Sequence, residues 1–142
     1  LPELFANLSF RIGSYGDPAA IPAKVWRTAT RKVRNRTGYT HQWRKRIGAG
    51  LKGLCMASAD NPADVVDAMA KGWRTFRVRK HDAPKLKDES ICPASKEGGQ
   101  RTQCDTCGLC QGATIAARNI VIADHGLMDS RRRIPTTPAA VL

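Results

Sequence analysis

The chain has 142 residues and a formal net charge of +12, from 24 Lys and Arg against 12 Asp and Glu. That length suits one domain with a single core, and that charge favours anionic partners, nucleic acid above all. Hydrophobic residues make up 42% of the chain, which fits a globular protein, and no apolar run approaches the ~18 residues of a membrane-spanning helix. No signal peptide is visible, so the expected location is the reducing cytoplasm, with no membrane partner. The first residue is Leu1 rather than Met, and the chain therefore reads as a processed product or a piece of a longer protein.

Taken in order, Leu8 to Ile12 predicts a short strand, followed by a turn from Gly13 to Pro18. Asp17 suits a helix N-cap and Pro18 a first helical position, although Pro22 blurs the helix start. Ile21, Val25, Ala29 and Val33 recur every four residues and predict one buried helical stripe. Arg36 to His41 reads as a second strand, Gln42 to Lys52 as a basic loop, and Gly53 to Ser58 as a third strand buried on both faces. Asp60-Asn61-Pro62 opens a second helix, whose buried side is expected at Val65, Val66, Met69 and Ala70 and which ends at Gly72. Trp73 to Arg79 alternates apolar and polar residues and predicts a fourth strand; its Arg74, Arg77 and Arg79 are expected to line a groove or to face solvent. His81 to Ser90 reads as a charged linker, and Asn119 to Ala123 as a last strand.

This alternation predicts an α/β fold. Two β-α-β units form a small parallel or partial-barrel sheet, followed by a cysteine-rich metal-binding loop. The expected organisation is a core with a basic surface over 1–80, a cysteine-rich segment and last strand over 81–126, and a disordered, basic, Pro-containing tail over 127–142. In such sheets the loops after the strands carry the site, and those loops hold Ser14, Tyr15, Asp17, His41, Trp43, Ser58, Asp60, Lys80 and His81. A His near an Asp can do general acid–base work, and Asp17, His41, Asp60 and His125 can meet at strand ends. Asp17 and Asp60 also have structural work to do as helix starts.

Four of the five cysteines fall in one stretch: Cys92, then Cys104, Cys107 and Cys110 in C-x-x-C-x-x-C spacing. A tight turn points every third side chain inward, so three thiolates converge on one centre and the Cys92-Pro93 cysteine completes the coordination. Such ligation fits one [4Fe–4S] cluster. Zinc also takes four thiolates, with His81 or His125 able to replace one sulfur, and a site without metal remains the third reading. Cys55 lies in an apolar stretch and reads as a small core residue.

From Asp17 to Asp60 no acidic residue intervenes, while ten Lys and Arg do, interleaved with Trp26, Tyr39 and Trp43. Cations pair with phosphates and aromatic faces stack on bases. Arg36, Trp43, Arg44, Lys45, Arg46 and Lys52 are thus the expected nucleic-acid contacts, unless the charges only solvate a helix and Trp26 belongs to the core.

The runs RIGSYGDPAAIP, TGYTHQW, MASADNP, GWRTFRVR, ICPAS and CDTCGLCQG together resemble a family of uncharacterised phage- and plasmid-borne proteins related to the phage gene product eighty-eight group, over about Phe10 to Gly126. The resemblance implies a mobile-element origin, with Cys92, Cys104, Cys107 and Cys110 as metal ligands and Ser14, Asp17, Tyr39, His41 and Arg77 as strand-end residues. Longer members carry a further cysteine-rich segment ahead of this region, and a radical-type chemistry would belong to that segment. The expected function is a mobile-element accessory protein that contacts nucleic acid or a host nucleic-acid-processing protein. The competing expectations are a metal- or cluster-dependent enzyme with an open ligand position, and an inhibitor that docks its basic face on a host nucleic-acid machine.

Overall fold

The computed structural model describes residues 1–124. His125 and the tail over 127–142 lie outside the described residues. Six strands form one parallel sheet: β1 (Ser9–Ile12), β2 (Asn35–Thr40), β3 (Met56–Ala59), β4 (Thr75–Arg79), β5 (Glu89–Ile91) and β6 (Asn119–Ala123). Their order across the sheet is β1-β2-β3-β4-β6-β5. Helix α1 (Ala23–Ala29) joins β1 to β2, α2 (Pro62–Ala70) joins β3 to β4, and a single turn α3 (Cys104–Cys107) lies between β5 and β6. Among the described residues no helix is long and apolar enough to cross a membrane.

The strand order explains where the cysteine segment sits. Crossovers between parallel strands are right-handed. Connections that step forward from β1 to β4 therefore lie on one face, and the connection that steps back from β5 to β6 lies on the other. Two cores result. On the helix face Ile12, Trp43, Leu51, Leu54, Cys55, Ala57, Ala68 and Trp73 pack together, with Ala23 and Trp26 against them. On the opposite face Met56, Cys110 and Ile120 pack with Tyr39, Phe76, Cys92 and Leu109.

Several local expectations give way to tertiary packing. Asp17 caps a 3-10 turn over Pro18–Ala20, accepting from Ala19 N, and α1 starts only after Pro22. A proline disfavours helical backbone at the residue before it, which splits the predicted helix in two. Helix α1 then stops at Ala29, so the four-residue stripe fails: Ile21 and Val25 face out, while Ala23, Trp26 and Ala29 turn inward. Strand β3 starts at Met56 because Leu54 and Cys55 are turned back onto the Leu51 carbonyl. In α2 the buried side is Val65 and Ala68; Val66 and Met69 are exposed. Within the expected linker, Glu89 opens β5 and is completely buried.

The largest departure concerns Arg74, Arg77 and Arg79: all three are buried, although Arg74 also borders an open recess with Trp73 and Asn119. Arg77 Nε and Nη2 each donate at 2.7 Å to a different carboxylate oxygen of Glu89, and Leu86 N donates to Oε2 at 2.8 Å. Arg79 donates to the carbonyl of Ala83 and pairs with Glu97. Buried guanidinium groups need such partners, since an unpaired buried charge is expensive.

Candidate functional site

The register decides which side chains share a face. Residues Cα-paired across parallel strands point to the same side, and successive residues along a strand to opposite sides. Ser9↔Asn35, Arg11↔Thr37, Tyr39↔Met56 and Phe76↔Ile120 therefore face the cysteine segment, whereas Ile12↔Gly38, Thr40↔Ala57 and Arg77↔Val121 face the helices.

All four predicted ligand cysteines border one cavity. Its walls are Cys92, Cys104, Cys107 and Cys110, with Thr37, Tyr39, Leu109 and Ile120 among the others. Cys92 follows directly on β5, and its amide donates to Val121 O at 2.9 Å. Cys104 and Cys107 bound α3, which ends at Gly108 with φ 68°, a left-handed position suited to glycine. The turn is tied to the sheet through the Asp105 carbonyl, which accepts from Ser9 Oγ, Arg34 Nη2 and Asn35 Nδ2 at the start of β1 and β2. Cys110 is buried at the cavity floor, and Cys104 is exposed at its rim.

Arg74 fastens the far side of the same segment. Its Nε donates to Ala117 O, its Nη1 to Leu109 O and Gly112 O, and its Nη2 to Arg118 O, at 2.6–3.0 Å. This guanidinium is spent on backbone carbonyls, so its positive charge stays beside Cys110. Burial pushes the Cys110 thiol up to about 12, against the pull of the Tyr39 hydroxyl hydrogen bond and the Arg74 charge. Burial also raises Cys104, with Cys92 and Cys107 adding to it. The Tyr39 phenol is raised first by burial and then by Cys110. Neither Tyr39 as a cavity wall nor Arg74 as a clamp was apparent in the sequence. The parity of Arg74 with Phe76 in WRTFRVR is the only signal that places Arg74 on this face.

The cavity fits a bound metal in chemistry more than in size. It has about 20 Å³ free to a water-sized molecule, room for about one water. Among the described residues no three His, Cys, Asp or Glu are grouped so as to hold a single metal ion. Tetrahedral zinc with ~2.3 Å bonds draws its sulfurs to within about 3.8 Å of one another. A four-iron cluster would be held by Cys92, Cys104, Cys107 and Cys110 with their sulfurs further apart than around zinc, and would need more room than this cavity has.

The candidate strand-end residues do not form one site. Tyr39 belongs to the cysteine cavity, and Arg77 lies on the opposite face, locked to Glu89. Ser14 is exposed and donates to Arg11 O. Asp17 and His41 do meet, but Asp17 accepts from Ala19 N, Thr40 Oγ1 and His41 N, so its carboxylate holds backbone in place. His41 Nε2 lies 3.9 Å from Asp60 on the surface.

The expected nucleic-acid residues also separate. Trp43 is 3% exposed, its indole N–H donates to Ser58 O, and it is core rather than a stacking platform. Arg44 lies over the Trp43 ring at 3.8 Å and donates to Asp64 and Asp67 at 2.7 and 2.8 Å, so α2 neutralises its charge. Lys45 and Arg46 are exposed, and Lys52 is half-buried. Arg36 is half-buried and donates to Gly53 O at 3.1 Å. It joins Arg27, Arg31, Gly50, Gly53, Leu54 and Thr114 around an open groove that, among the described residues, no carboxylate lines.

Comparison of the chain with protein-family models, curated proteins and solved structures found no match.

Proposed function

We propose that this α/β protein carries a thiolate-bound metal centre, foremost a [4Fe–4S] cluster and alternatively zinc, and works in contact with nucleic acid. The reading is carried by one observation: four cysteines from two separate stretches of chain border a single apolar cavity. The clamp of Arg74, which keeps a positive charge beside Cys110, and the anchoring of Asp105 support it, because four thiolates on a metal leave a net negative charge to be compensated. When bound, the centre would tie the connection between β5 and β6 to the sheet. The mobile-element setting rests on the sequence resemblance alone.

Anaerobic purification followed by iron, sulfide and zinc analysis tests this. A cluster gives iron and sulfide together with a broad band at about 400 nm from thiolate-to-iron charge transfer, lost on Cys107→Ser and Cys110→Ser. One zinc without iron makes the site structural. Protein that binds neither metal, with all four thiols freely alkylated, refutes the reading.

An enzymatic reading has one specific observation in its favour. A recess lined by Ser9, Phe10, Arg11, Asn35, Thr37, Cys104 and Asp105 shares Thr37 and Cys104 with the cysteine cavity, giving a small molecule access to its rim. That reading requires a ligand position free of protein sulfur, and four equivalent cysteine ligands by spectroscopy would overturn it.

A further inference from the structure

The basic half of the chain divides into charges that are already compensated and charges that are not. Arg44 is held by Asp64 and Asp67 and Lys32 by Glu3, whereas Arg34 meets no carboxylate among the described residues and reaches Ser9 and the Asp105 carbonyl, away from the helix face. Arg27, Arg31 and Arg36 have no carboxylate partner within ion-pair distance among the described residues, and they converge on one groove. Arg27 comes from the last turn of α1, Arg31 from the turn that follows, and Arg36 from β2, with Arg36 standing on the helix face beside Phe10.

The groove is built rather than incidental. Its floor is backbone at Gly50 and Gly53. Arg27 Nη1 donates to Gly50 O at 3.1 Å, and Arg36 Nη2 and Thr114 Oγ1 both donate to Gly53 O. A Cβ at Gly50 would come within 2.9 Å of Ala23, so glycine is what lets this loop approach α1. Arg36 Nε is buried and has no hydrogen-bond partner among the described residues, and burial lowers the pKa of this guanidinium. A half-buried cation held without an anion beside it is a cost that an incoming phosphate would remove.

We propose that this groove, and not the loop from Trp43 to Arg46, is where the protein grips the sugar–phosphate backbone of a nucleic acid. The inference rests on the nucleic-acid part of the reading above and gives it a location and a mode. Three guanidiniums around one open groove offer more positive charge than one small anion needs and suit the phosphates of a strand. Among the described residues no aromatic side chain lines the groove, so contact is with the backbone and independent of base sequence. Thr114 ties the groove to the cysteine segment, since it lies two residues after Gly112, whose carbonyl Arg74 holds.

The test is fluorescence anisotropy with a labelled single-stranded DNA of mixed sequence, titrated over a range of salt. It compares the full chain with Arg27→Gln/Arg31→Gln and with Lys45→Gln/Arg46→Gln, which removes the same charge from the exposed loop. Both pairs are surface residues, and circular dichroism confirms that the variants fold. Each phosphate contact contributes about 0.7 to the log–log salt slope of a single strand, so the groove variant should lower the slope by about 1.4 and weaken binding about 25-fold near 0.1 M salt. The loop variant should stay within about threefold of the parent. Equal losses in both variants, or a loss confined to the loop, overturn the groove while leaving nucleic-acid binding standing. No binding by the parent chain overturns the nucleic-acid reading itself. Displacement of the DNA by polyglutamate or inorganic phosphate at equal charge concentration would show an acidic protein or a free anion to be the ligand, and would overturn the proposal.

Discussion

Replacing Glu89 by Gln isolates the buried ion pair that the sequence concealed. Glu89 is 0% and Arg77 3% exposed by side chain, with two parallel contacts of 2.7 Å between them. Glutamine keeps the size of the side chain and one acceptor, but it strands the guanidinium charge between β4, β5 and the Pro84 carbonyl 3.3 Å away. Breaking a buried pair from one side costs about 3–5 kcal/mol, against a total stability of about 5–15 kcal/mol for a domain. With a urea m-value of about 2 kcal/mol/M, the unfolding midpoint should fall by about 1.5–2.5 M. The double variant Arg77→Met/Glu89→Leu fills the same space without charge and should return to within about 1 kcal/mol of the parent. Urea denaturation followed by circular dichroism measures all three proteins. A midpoint shift for Glu89→Gln below about 0.3 M, or a double variant no better than the single, would refute the argument that this pair is structurally required.

The same carboxylate predicts an acid transition. Burial pushes Glu89 up, but Arg77, the Leu86 amide and the nearby Arg79 pull it down further, leaving it below its ordinary value of 4.5. A depressed folded-state pKa stabilises above the unfolded value, and that stability is lost as pH falls through the folded one. The melting temperature should therefore drop below pH about 4.5 in the parent, with that component absent from Glu89→Gln in a scan from about pH 6 to about pH 3. Gly112→Ala should destabilise by more than about 2 kcal/mol in urea melts, because Gly112 has φ 81° and its new Cβ would sit 2.7 Å from Lys52 O and 2.8 Å from Cys55 O. Arg74→Met removes all four donations to the 109–118 segment. Amide exchange there should accelerate at least about tenfold while β2 and β3 stay protected, and uniform acceleration throughout the sheet would show that Arg74 acts globally instead.

The sequence alone determined the parallel α/β alternation and four strands close to where they fall, including β6 residue for residue at Asn119–Ala123. Alternation of two and helix-start residues such as Asn61-Pro62 are local properties, set by the chain's own backbone and independent of distant partners. The cysteine spacing likewise singled out one segment, and its four cysteines border one cavity. What the tertiary structure decided was which face each residue meets and what covers it. A period of two says that Tyr39 and Thr37 share a side, but not that the backward step from β5 to β6 lays the cysteine segment over that side. Arginine at 74, 77 and 79 looks like surface until carbonyls at Leu109, Gly112 and Ala117, and the carboxylates of Glu89 and Glu97, arrive from far along the chain to receive it. Trp43 and Arg44 looked like a nucleic-acid platform until the sheet took the indole and α2 took the charge. Burial of a polar or amphipathic group depends on its partners, and those partners lie 10 to 40 residues or so away in this fold, beyond the reach of any local pattern.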